Sequence, residues 1–341
     1  MHIPDGYLSP ATAGAMYAVT LPILYVASRK MKALVTGRSV PLIGLFAALS
    51  FVIMMFNVPL PGGTTGHAVG SVLAAIVLGP WSACLAVSVA LIIQALFFGD
   101  GGILAIGANV FNMAIAMSFV GFYLYRWLSG SAAVTAPRRV LAAAVAGYIG
   151  INVGALLTGI ELGIQPMLFH DAAGHALYFP YGLDMAIPVM LLGHLAIAGP
   201  VEALVTGLVV AWMQRTNPQL LESVRGARQS SVQLSRWTWG GLIALIALTP
   251  FGLLAPGTAW GEWSREELQQ LGLGYIPAGF DRWSNLWSAP FSGYDVPALN
   301  NSIVGYLLSA LAGVVLVLSV ILALTWIVKR LMRHREDESS P

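Results

Sequence analysis

Charged residues are scarce in this chain of 341 residues. They make up 9% of it, whereas hydrophobic residues make up 57% and the mean hydropathy is +0.77. Soluble domains carry about 25% charged residues, so the composition excludes a water-soluble fold around a single core. Lipid is the alternative solvent, and it requires apolar helical spans of about 20 residues. We therefore expect an all-α, polytopic membrane helix bundle.

Cysteine and the common catalytic motifs are also missing. Cys84 is the one cysteine, so neither an intramolecular disulfide nor a cysteine-based metal cage can form. The sequence contains no G-x-x-x-x-G-K-[ST] loop, no H-E-x-x-H motif and no G-x-S-x-G elbow. The chain therefore cannot power transport with its own P-loop. The first residues lack the basic region and cleavage site of a signal peptide, so we expect Met1 to remain the mature N-terminus.

Nine apolar segments are candidates for membrane spans. They cover residues 9–28, 40–58, 68–80, 82–98, 103–128, 139–158, 184–214, 238–255 and 302–328. The third segment is short, and Gly79-Pro80-Trp81 separates it from the fourth because proline cannot continue a helix. We expect nine crossings, in which region 68–98 forms either a bent pair of spans or a shallower hairpin.

The basic residues give the orientation. If the N-terminus is outside, nine crossings leave only Arg265 and Arg282 of the 17 basic residues on the outer side. The positive-inside rule favours this arrangement and places the C-terminus in the cytoplasm. The cytoplasmic set is Arg29, Lys30, Lys32, Arg38, Arg126, Arg138, Arg139, Arg215, Arg225, Arg228, Arg236, Lys329, Arg330, Arg333 and Arg335.

A polar stretch divides the chain into two parts. We expect a metal-binding membrane core at 1–215 with about seven spans, a cytoplasmic linker at 216–237, and a two-span C-terminal extension at 238–341. An extracytoplasmic loop at 256–301 joins the last two spans and is rich in Trp, Gly, Pro and acidic residues. The basic and acidic tail is typical of the flank of a last span rather than of a nucleic-acid site.

The first two residues could chelate a transition metal. The terminal amine, the backbone nitrogen of His2 and its imidazole Nδ1 can close a five-membered and a six-membered ring on one ion. Three nitrogens in a planar arc suit Ni²⁺, Cu²⁺ or low-spin Co²⁺ once a fourth nitrogen is added. Pro4-Asp5-Gly6 is a turn sequence that would hold the terminus before the first span. The alternative is that His2 belongs to a frayed end.

A second outside segment offers the fourth nitrogen. Pro59-Leu60-Pro61-Gly62-Gly63-Thr64-Thr65-Gly66-His67 is a Gly/Pro/Thr loop that ends in a histidine at the edge of a span. Ionisable residues at such positions are functional candidates, although a hydrogen-bonded interfacial histidine is the alternative. The predicted metal ligands are therefore Met1, His2 and His67.

Other polar residues have weaker support. Asp100-Gly101-Gly102 and the pair Asn109 and Asn112 could orient ligands or join helices. His194 and Glu202 share a face of the seventh span and could serve a site or lock helices together. The remaining candidates are His170, Asp171 and His175 in an outside loop, and Glu161 and Asp184 at span ends.

Four groups of residues resemble a known family. Met1 to Pro10 (MHIPDGYLSP) resembles the opening signature of the nickel/cobalt substrate-binding membrane components of energy-coupling factor transporters, the CbiM/NikM type. The similarity continues through Gly66-His67, the stretch 101–112, and His194 to Glu202. In that family the ligands are the terminal amine, the second-residue histidine and a histidine before the third span. The resemblance therefore implies Met1, His2 and His67 here.

The resemblance also implies partners. A transmembrane coupling protein and cytosolic ATPase subunits would drive uptake of Ni²⁺ or Co²⁺ as transported substrate, with no catalytic cofactor, no nucleic acid, and membrane lipid as the surroundings. The use of the metal, in cobalamin synthesis or in a nickel enzyme, stays open. Residues 238–330 resemble a two-span accessory component, although its Pro-Asp-Gly-Leu-Glu motif is replaced by Leu254 to Glu262 (LAPGTAWGE). A membrane metal sensor or scaffold, or a membrane metal-dependent enzyme, remain alternatives.

Overall fold

The computed structural model describes residues 1–32, 40–60, 64–222, 236–255 and 257–339, and helices dominate it. The helices are α1 (Pro10–Lys32), α2 (Val40–Met54), α3 (Ser71–Leu78), α4 (Pro80–Ile93), α5 (Ile106–Asn109), α6 (Met117–Ser129), α7 (Pro137–Gly163), α8 (Gln165–Leu168), α9 (Leu183–Gly193), α10 (Gly199–Thr216), α11 (Gln219–Glu222), α12 (Arg236–Leu248), α13 (Arg265–Gln270), α14 (Ala278–Trp283) and α15 (Ser302–Ser339). Three π-helical segments continue or join them, at Gln94–Phe98, Val110–Ala116 and His194–Ala198. Arg38, Arg225, Arg228, residues 61–63 and most of the predicted linker lie outside the described residues.

Within the described ranges, six helical stretches are long and apolar enough to cross a membrane. They are Pro10–Met31, Pro80–Phe98, Ile106–Ser129, Pro137–Leu168, Leu183–Thr216 and Ser302–Ile327. Two shorter apolar helices, Val40–Met54 and Trp239–Leu254, fall where spans were also expected. The prediction of a polytopic helical membrane protein is confirmed, whereas the count of nine crossings and the orientation stay predictions.

The third predicted span is not one continuous helix. Helix α3 has eight residues and is about 12 Å long at 1.5 Å per residue, which is less than half of a bilayer core of about 30 Å. Gly70 and Gly79 bound it with φ angles of 73° and 80°, a conformation that glycine adopts without steric cost. The non-helical segment before it is buried in protein, as irregular backbone at membrane depth must be.

The loop expected before this segment forms a small β-hairpin. Strands β1 (Val58–Leu60) and β2 (Thr64–Gly66) pair antiparallel, with Val58 opposite Gly66. A Cβ at Gly66 would come within 2.9 Å of the Leu60 side chain, so glycine permits this close packing. The hairpin directs the chain inward, and His67, the next residue, is buried.

Lipid-facing and protein-facing surfaces are both apolar. Large side chains such as Leu21, Leu141, Leu204 and Leu322 are more than half exposed on the outside of the bundle, as expected where lipid replaces water. Helix α15 of the extension packs on α2, and a Cβ at Gly313 would overlap the ring of Phe51. The two parts of the chain therefore share one packed core.

Candidate metal centre

The N-terminal segment lies inside the bundle rather than on its surface. Met1 and His2 are 4% and 3% exposed, and Ile3 is fully buried. The Ile3 N–H donates to Oδ1 of Asn109 at 2.8 Å, and Nδ2 of Asn109 donates to the Ile3 carbonyl at 3.1 Å. The Gly102 N–H donates to the same carbonyl at 2.9 Å. This pairing holds the backbone that follows His2 in one place.

Asp5 anchors the following turn. Its carboxylate accepts hydrogen bonds from the backbone N–H groups of Ile103 and Leu104 at 2.9 and 2.8 Å. Burial raises the pKa of Asp5 above its usual value, and the two hydrogen bonds oppose that rise. A Cβ at Gly102 would overlap Asp5, so only glycine allows this approach. The turn residues of the sequence are therefore part of the anchor as well as a chain reversal.

The two predicted histidine ligands face each other. Nε2 of His67 lies 3.2 Å from Nδ1 of His2, and the ring centroids are 5.0 Å apart. Nδ1 of His67 lies 3.0 Å from the Ala68 carbonyl oxygen. A carbonyl can only accept, so Nδ1 carries the proton and the lone pair of Nε2 points at His2. Burial, and then the positive charges of the N-terminus and His2, hold the pKa of His67 well below its ordinary value.

Asp100 occupies the other side of His2. Its Oδ1 lies 2.9 Å from Nδ1 of His2, and its Oδ2 accepts a hydrogen bond of 2.5 Å from the hydroxyl of Tyr294. Burial alone would raise the pKa of Asp100, but the charge of His2 and its hydrogen bond outweigh burial and lower that pKa. Burial, together with the Asp100 charge, raises the pKa of Tyr294 well above its ordinary value. An anionic carboxylate therefore lies beside the two imidazoles.

The C-terminal extension supplies a second carboxylate. Oε1 of Glu262 lies 3.5 Å from the Met1 amino nitrogen. Burial raises the pKa of Glu262, while the charge of the N-terminus opposes that rise. The rings of Trp260 and Trp263 pack against Phe179, and the Tyr7 hydroxyl donates to the Trp263 carbonyl at 2.7 Å. The loop of the extension at 256–301 thus covers the N-terminal segment.

Glu202 acts on the segment that carries His67. Its carboxylate accepts hydrogen bonds from the N–H groups of Val69 at 2.7 Å and Gly70 at 3.1 Å. Glu202 is fully buried, so these bonds replace its hydration. The sequence left open whether Glu202 serves a site or locks helices, and the contacts show that it fixes the backbone next to His67.

The other buried candidates make their hydrogen bonds to groups other than the two histidines. Nδ2 of Asn112 donates to Thr158 at 3.1 Å and to Glu161 at 2.8 Å. Nδ1 of His194 lies 2.7 Å from the Met190 carbonyl of its own helix, and its Nε2 has no hydrogen-bond partner among the described residues. Asn112 and Glu161 therefore join helices, whereas the hydrogen bond of His194 stays within its own helix. His194 and Glu202 do not hydrogen-bond to each other.

The loop that holds His170 and His175 is exposed. The Asp171 carboxylate accepts from the N–H groups of Ala173 and His175, which closes a tight turn, and it lies 3.3 Å from Nδ1 of His175. These hydrogen bonds lower the pKa of Asp171. The loop is a local turn, and Asp184 is an exposed residue of the first turn of α9.

The donor set at the N-terminus is unusual. Within the described residues no three His, Cys, Asp or Glu side chains are grouped so that they could hold a metal. The two imidazoles and the free amine nevertheless bring nitrogen atoms together, and the His2 backbone nitrogen lies between them in the chain. Such an arrangement can chelate a metal that accepts backbone nitrogen, but it cannot form a tetrahedral side-chain cage.

Some neighbours of this centre had no signal in the sequence. Tyr294 lies 194 residues from Asp100 in the chain, and Glu262 lies 261 residues from Met1. No local pattern predicted either contact. Asp100 was only a weak candidate, and Asp5 was interpreted as a turn residue. Their contacts depend on how distant segments meet.

Two family models match nearly the whole chain. Residues 2–220 match CbiM, described as the cobalt uptake substrate-specific transmembrane region, and residues 234–330 match the PDGLE domain. The second match is found although the five-residue string Pro-Asp-Gly-Leu-Glu is absent from the sequence. The resemblance seen in both parts of the sequence is therefore confirmed.

Full-length relatives share the same two-part order. The fused nickel transport protein NikMN of Rhodobacter capsulatus is 48% identical over 333 residues, which are 94% of this chain and 95% of that protein. The probable fused nickel transport protein LarMN of Lactiplantibacillus plantarum is 46% identical over 351 residues, covering 99% of both chains.

Solved structures match the core. A crystal structure described as a transition metal transporter is 52% identical with a TM-score of 0.61, and covers 67% of this chain and 100% of its own. A truncated transition metal transporter is 53% identical with a TM-score of 0.60, and covers 63% and 99%.

Proposed function

Because the chain belongs to the CbiM family of transition-metal uptake proteins, we propose that it binds the ion it transports through the N-terminal amine, the His2 amide and imidazole nitrogens, and His67. It is a nickel or cobalt transport component of the CbiM/NikM type, and its relatives are metal transport proteins rather than enzymes. The assignment of the four nitrogens rests chiefly on the 3.2 Å separation of Nδ1 of His2 and Nε2 of His67.

That separation suits two neighbouring ligands of one planar ion. Metal–imidazole bonds of about 2.0–2.1 Å place adjacent nitrogens of a square plane about 2.9 Å apart. A movement of a few tenths of an ångström would bring both imidazoles onto one ion. The amine and amide of residues 1 and 2 then fill the other two corners, because covalent geometry ties them to the His2 ring.

Binding in this mode releases protons. The ammonium of Met1 and the amide of His2 each lose one proton when their nitrogens coordinate, and the proton on Nδ1 of His2 must leave that atom. The carboxylate of Glu262 lies beside the Met1 amine, and that of Asp100 lies beside Nδ1 of His2. Their negative charges also offset the charge of a divalent ion in this buried place.

A cavity provides an approach to the centre. It has a volume of about 540 Å³ and is lined by Asp5, Gly101, Gly102, Trp263 and Glu266, among others. The lining includes the carboxylates of Asp5 and Glu266, which favour a hydrated cation. It also includes Arg265, whose charge is paired with Asp281. The ion therefore enters between the N-terminal segment and the loop of the extension.

Energy must come from partners. The chain carries no P-loop, so we propose that a transmembrane coupling protein and cytosolic ATPase subunits drive metal release. In this arrangement residues 1–215 form the binding core, 216–237 the cytoplasmic linker, and 238–341 an extension whose outer loop covers the site. The contacts of Glu262 and Tyr294 support that role for the extension.

The proposed site depends on a free terminus, which gives a direct test. Adding a single glycine before Met1 converts the amine into a peptide bond, and we expect at least a hundredfold loss of Ni²⁺ affinity by isothermal titration calorimetry. His67→Ala should cause a comparable loss. Glycine added after Pro341 is the matched control and should leave affinity unchanged. Equal affinity of the two extended proteins would exclude the amine as a ligand.

Transport is tested separately from binding. Cells that express the chain with its ATPase partners should accumulate radioactive nickel, and cells without the chain should not. If binding persists but deletion of the chain leaves uptake unchanged, the protein is a sensor or scaffold. The sensor or scaffold interpretation is the main alternative, because a chain with a metal site but no energy source could bind the ion without moving it.

A further inference from the structure

A small cavity lies between the end of α6 and the start of α7. Its volume is about 100 Å³, and Tyr125, Arg126, Ser129 and Arg139 supply its polar lining. It shares no residue with the candidate metal centre. At roughly 30 Å³ per water molecule, it has room for about three waters, which is the size of a phosphate group rather than of a nucleotide.

Arg139 is the buried charged residue of this cavity. It is 3% exposed, and its guanidinium donates two hydrogen bonds of 3.0 Å to the Ala132 carbonyl and one of 3.1 Å to the Tyr125 hydroxyl. Three of its five N–H groups are thereby used, which leaves two for a ligand. Among the side chains that the structure describes, no carboxylate lies within ion-pair distance of it. A buried charge without a counter-ion is strongly unfavourable.

The neighbouring polar groups are donors too. The Ser129 hydroxyl is 2% exposed and has no hydrogen-bond partner within the described part of the chain. The Tyr125 oxygen accepts from Arg139, so its own proton is free to be donated. Arg126 adds a second positive charge at the rim. A small cavity lined by hydrogen-bond donors and positive charge favours an anion with several acceptor oxygens.

The level of the cavity relative to the membrane indicates which molecule supplies that anion. Tyr123 and Trp127 project from the same helix and are 58% and 76% exposed. Exposed aromatic residues of this kind gather at the level of the lipid headgroups. The positive-inside rule favours the cytoplasmic side for this turn, and anionic phospholipids are found on that side.

We propose that Arg139, Ser129 and Tyr125 bind the phosphate of an anionic phospholipid at the α6–α7 turn. The lipid supplies the negative charge that Arg139 lacks and ties the end of α6 to the start of α7. A free phosphate ion has the same chemistry, so the experiment separates the two.

The test measures retention of phosphatidylglycerol by the purified full-length chain, using native mass spectrometry. We expect the wild-type protein to retain one molecule, with at least tenfold weaker retention in Arg139→Gln and several-fold weaker retention in Ser129→Ala. Arg138→Gln is the matched control because Arg138 is an exposed neighbour on the same turn and its replacement removes the same charge. It should retain the lipid as the wild type does.

Further measurements keep the proposal falsifiable. Ni²⁺ affinity within twofold of wild type shows that Arg139→Gln is folded. If Arg139→Gln does not fold, lipid retention by Ser129→Ala is the test. The proposal is overturned if a folded Arg139→Gln retains phosphatidylglycerol as the wild type does. If that variant does not fold, wild-type retention by Ser129→Ala overturns it. So does complete displacement of the lipid by millimolar inorganic phosphate, which assigns the site to a free anion. Loss of nickel uptake with unchanged lipid retention assigns Arg139 to a protein partner instead.

Discussion

Glu202 accepts a hydrogen bond of 2.7 Å from the backbone N–H of Val69, two residues beyond His67. The two residues are 133 positions apart in the chain, yet this contact holds the non-helical segment that presents a proposed metal ligand. Helix α10 therefore supports the proposed metal centre through the backbone next to His67.

The first prediction concerns this contact. Glu202→Gln removes a charge that two backbone N–H groups share, and hydrogen bonds to charged groups contribute about 1.5–3 kcal/mol. Part of that loss should appear as displacement of His67, so we expect Ni²⁺ affinity to fall about tenfold, which corresponds to about 1.4 kcal/mol. Titration calorimetry measures it. Thr206→Val, at a buried position of the same helix, should leave affinity unchanged. An equal loss in both variants would show a general packing effect.

The second prediction concerns Asn109. Its amide makes two hydrogen bonds with the Ile3 backbone, and leaving those groups unpaired costs about 1–3 kcal/mol each. Asn109→Ala should free the N-terminal segment and weaken Ni²⁺ binding by ten- to a hundredfold. Asn112→Ala is the comparison, because Asn112 contacts Glu161 and Thr158 instead. A stability loss in both variants with an affinity loss in Asn109→Ala alone is the expected pattern.

The third prediction is a pH dependence. The ammonium of Met1 and the amide of His2 each give up a proton on chelation, so Ni²⁺ affinity should fall as pH falls, by up to about a hundredfold per unit. His67 adds no further loss near neutral pH, because its pKa is held well below its ordinary value and the imidazole stays neutral. Calorimetry in buffers of different ionisation enthalpy counts the released protons. A release of less than one proton would contradict amide coordination.

The fourth prediction tests the extension. Tyr294→Phe removes the hydroxyl that donates to Asp100 at 2.5 Å, and we expect a three- to tenfold loss of Ni²⁺ affinity. Asp100→Asn removes the adjacent negative charge and should cost more, because opposite charges about 4 Å apart attract by about 4 kcal/mol at an effective dielectric constant of 20. Tyr306→Phe is the control within the same extension, since its hydroxyl donates to the Met55 carbonyl. Identical effects of the two tyrosine variants would mean that Tyr294 acts through packing.

Much of the fold could be read from the chain because lipid imposes simple rules. Apolar runs predicted segments close to the observed ones, as for 139–158 within Pro137–Gly163 and 184–214 within Leu183–Thr216. Region 68–80 was harder, because hydropathy does not distinguish a continuous span from an extended segment followed by the short helix α3. Gly70 adopts a left-handed conformation, which separates the extended segment from helix α3.

The proposed chelate at Met1 and His2 is a property of the sequence, because bonds between adjacent residues fix which nitrogens can share an ion. The class of membrane protein is likewise set by composition, since charge is too rare for water. Tertiary structure alone decided what surrounds the terminus: Asn109 on Ile3, Glu202 beside His67, and Asp100 and Glu262 beside His2 and Met1. These contacts join residues far apart in the chain, and such pairs meet only when helices pack, which no local pattern records.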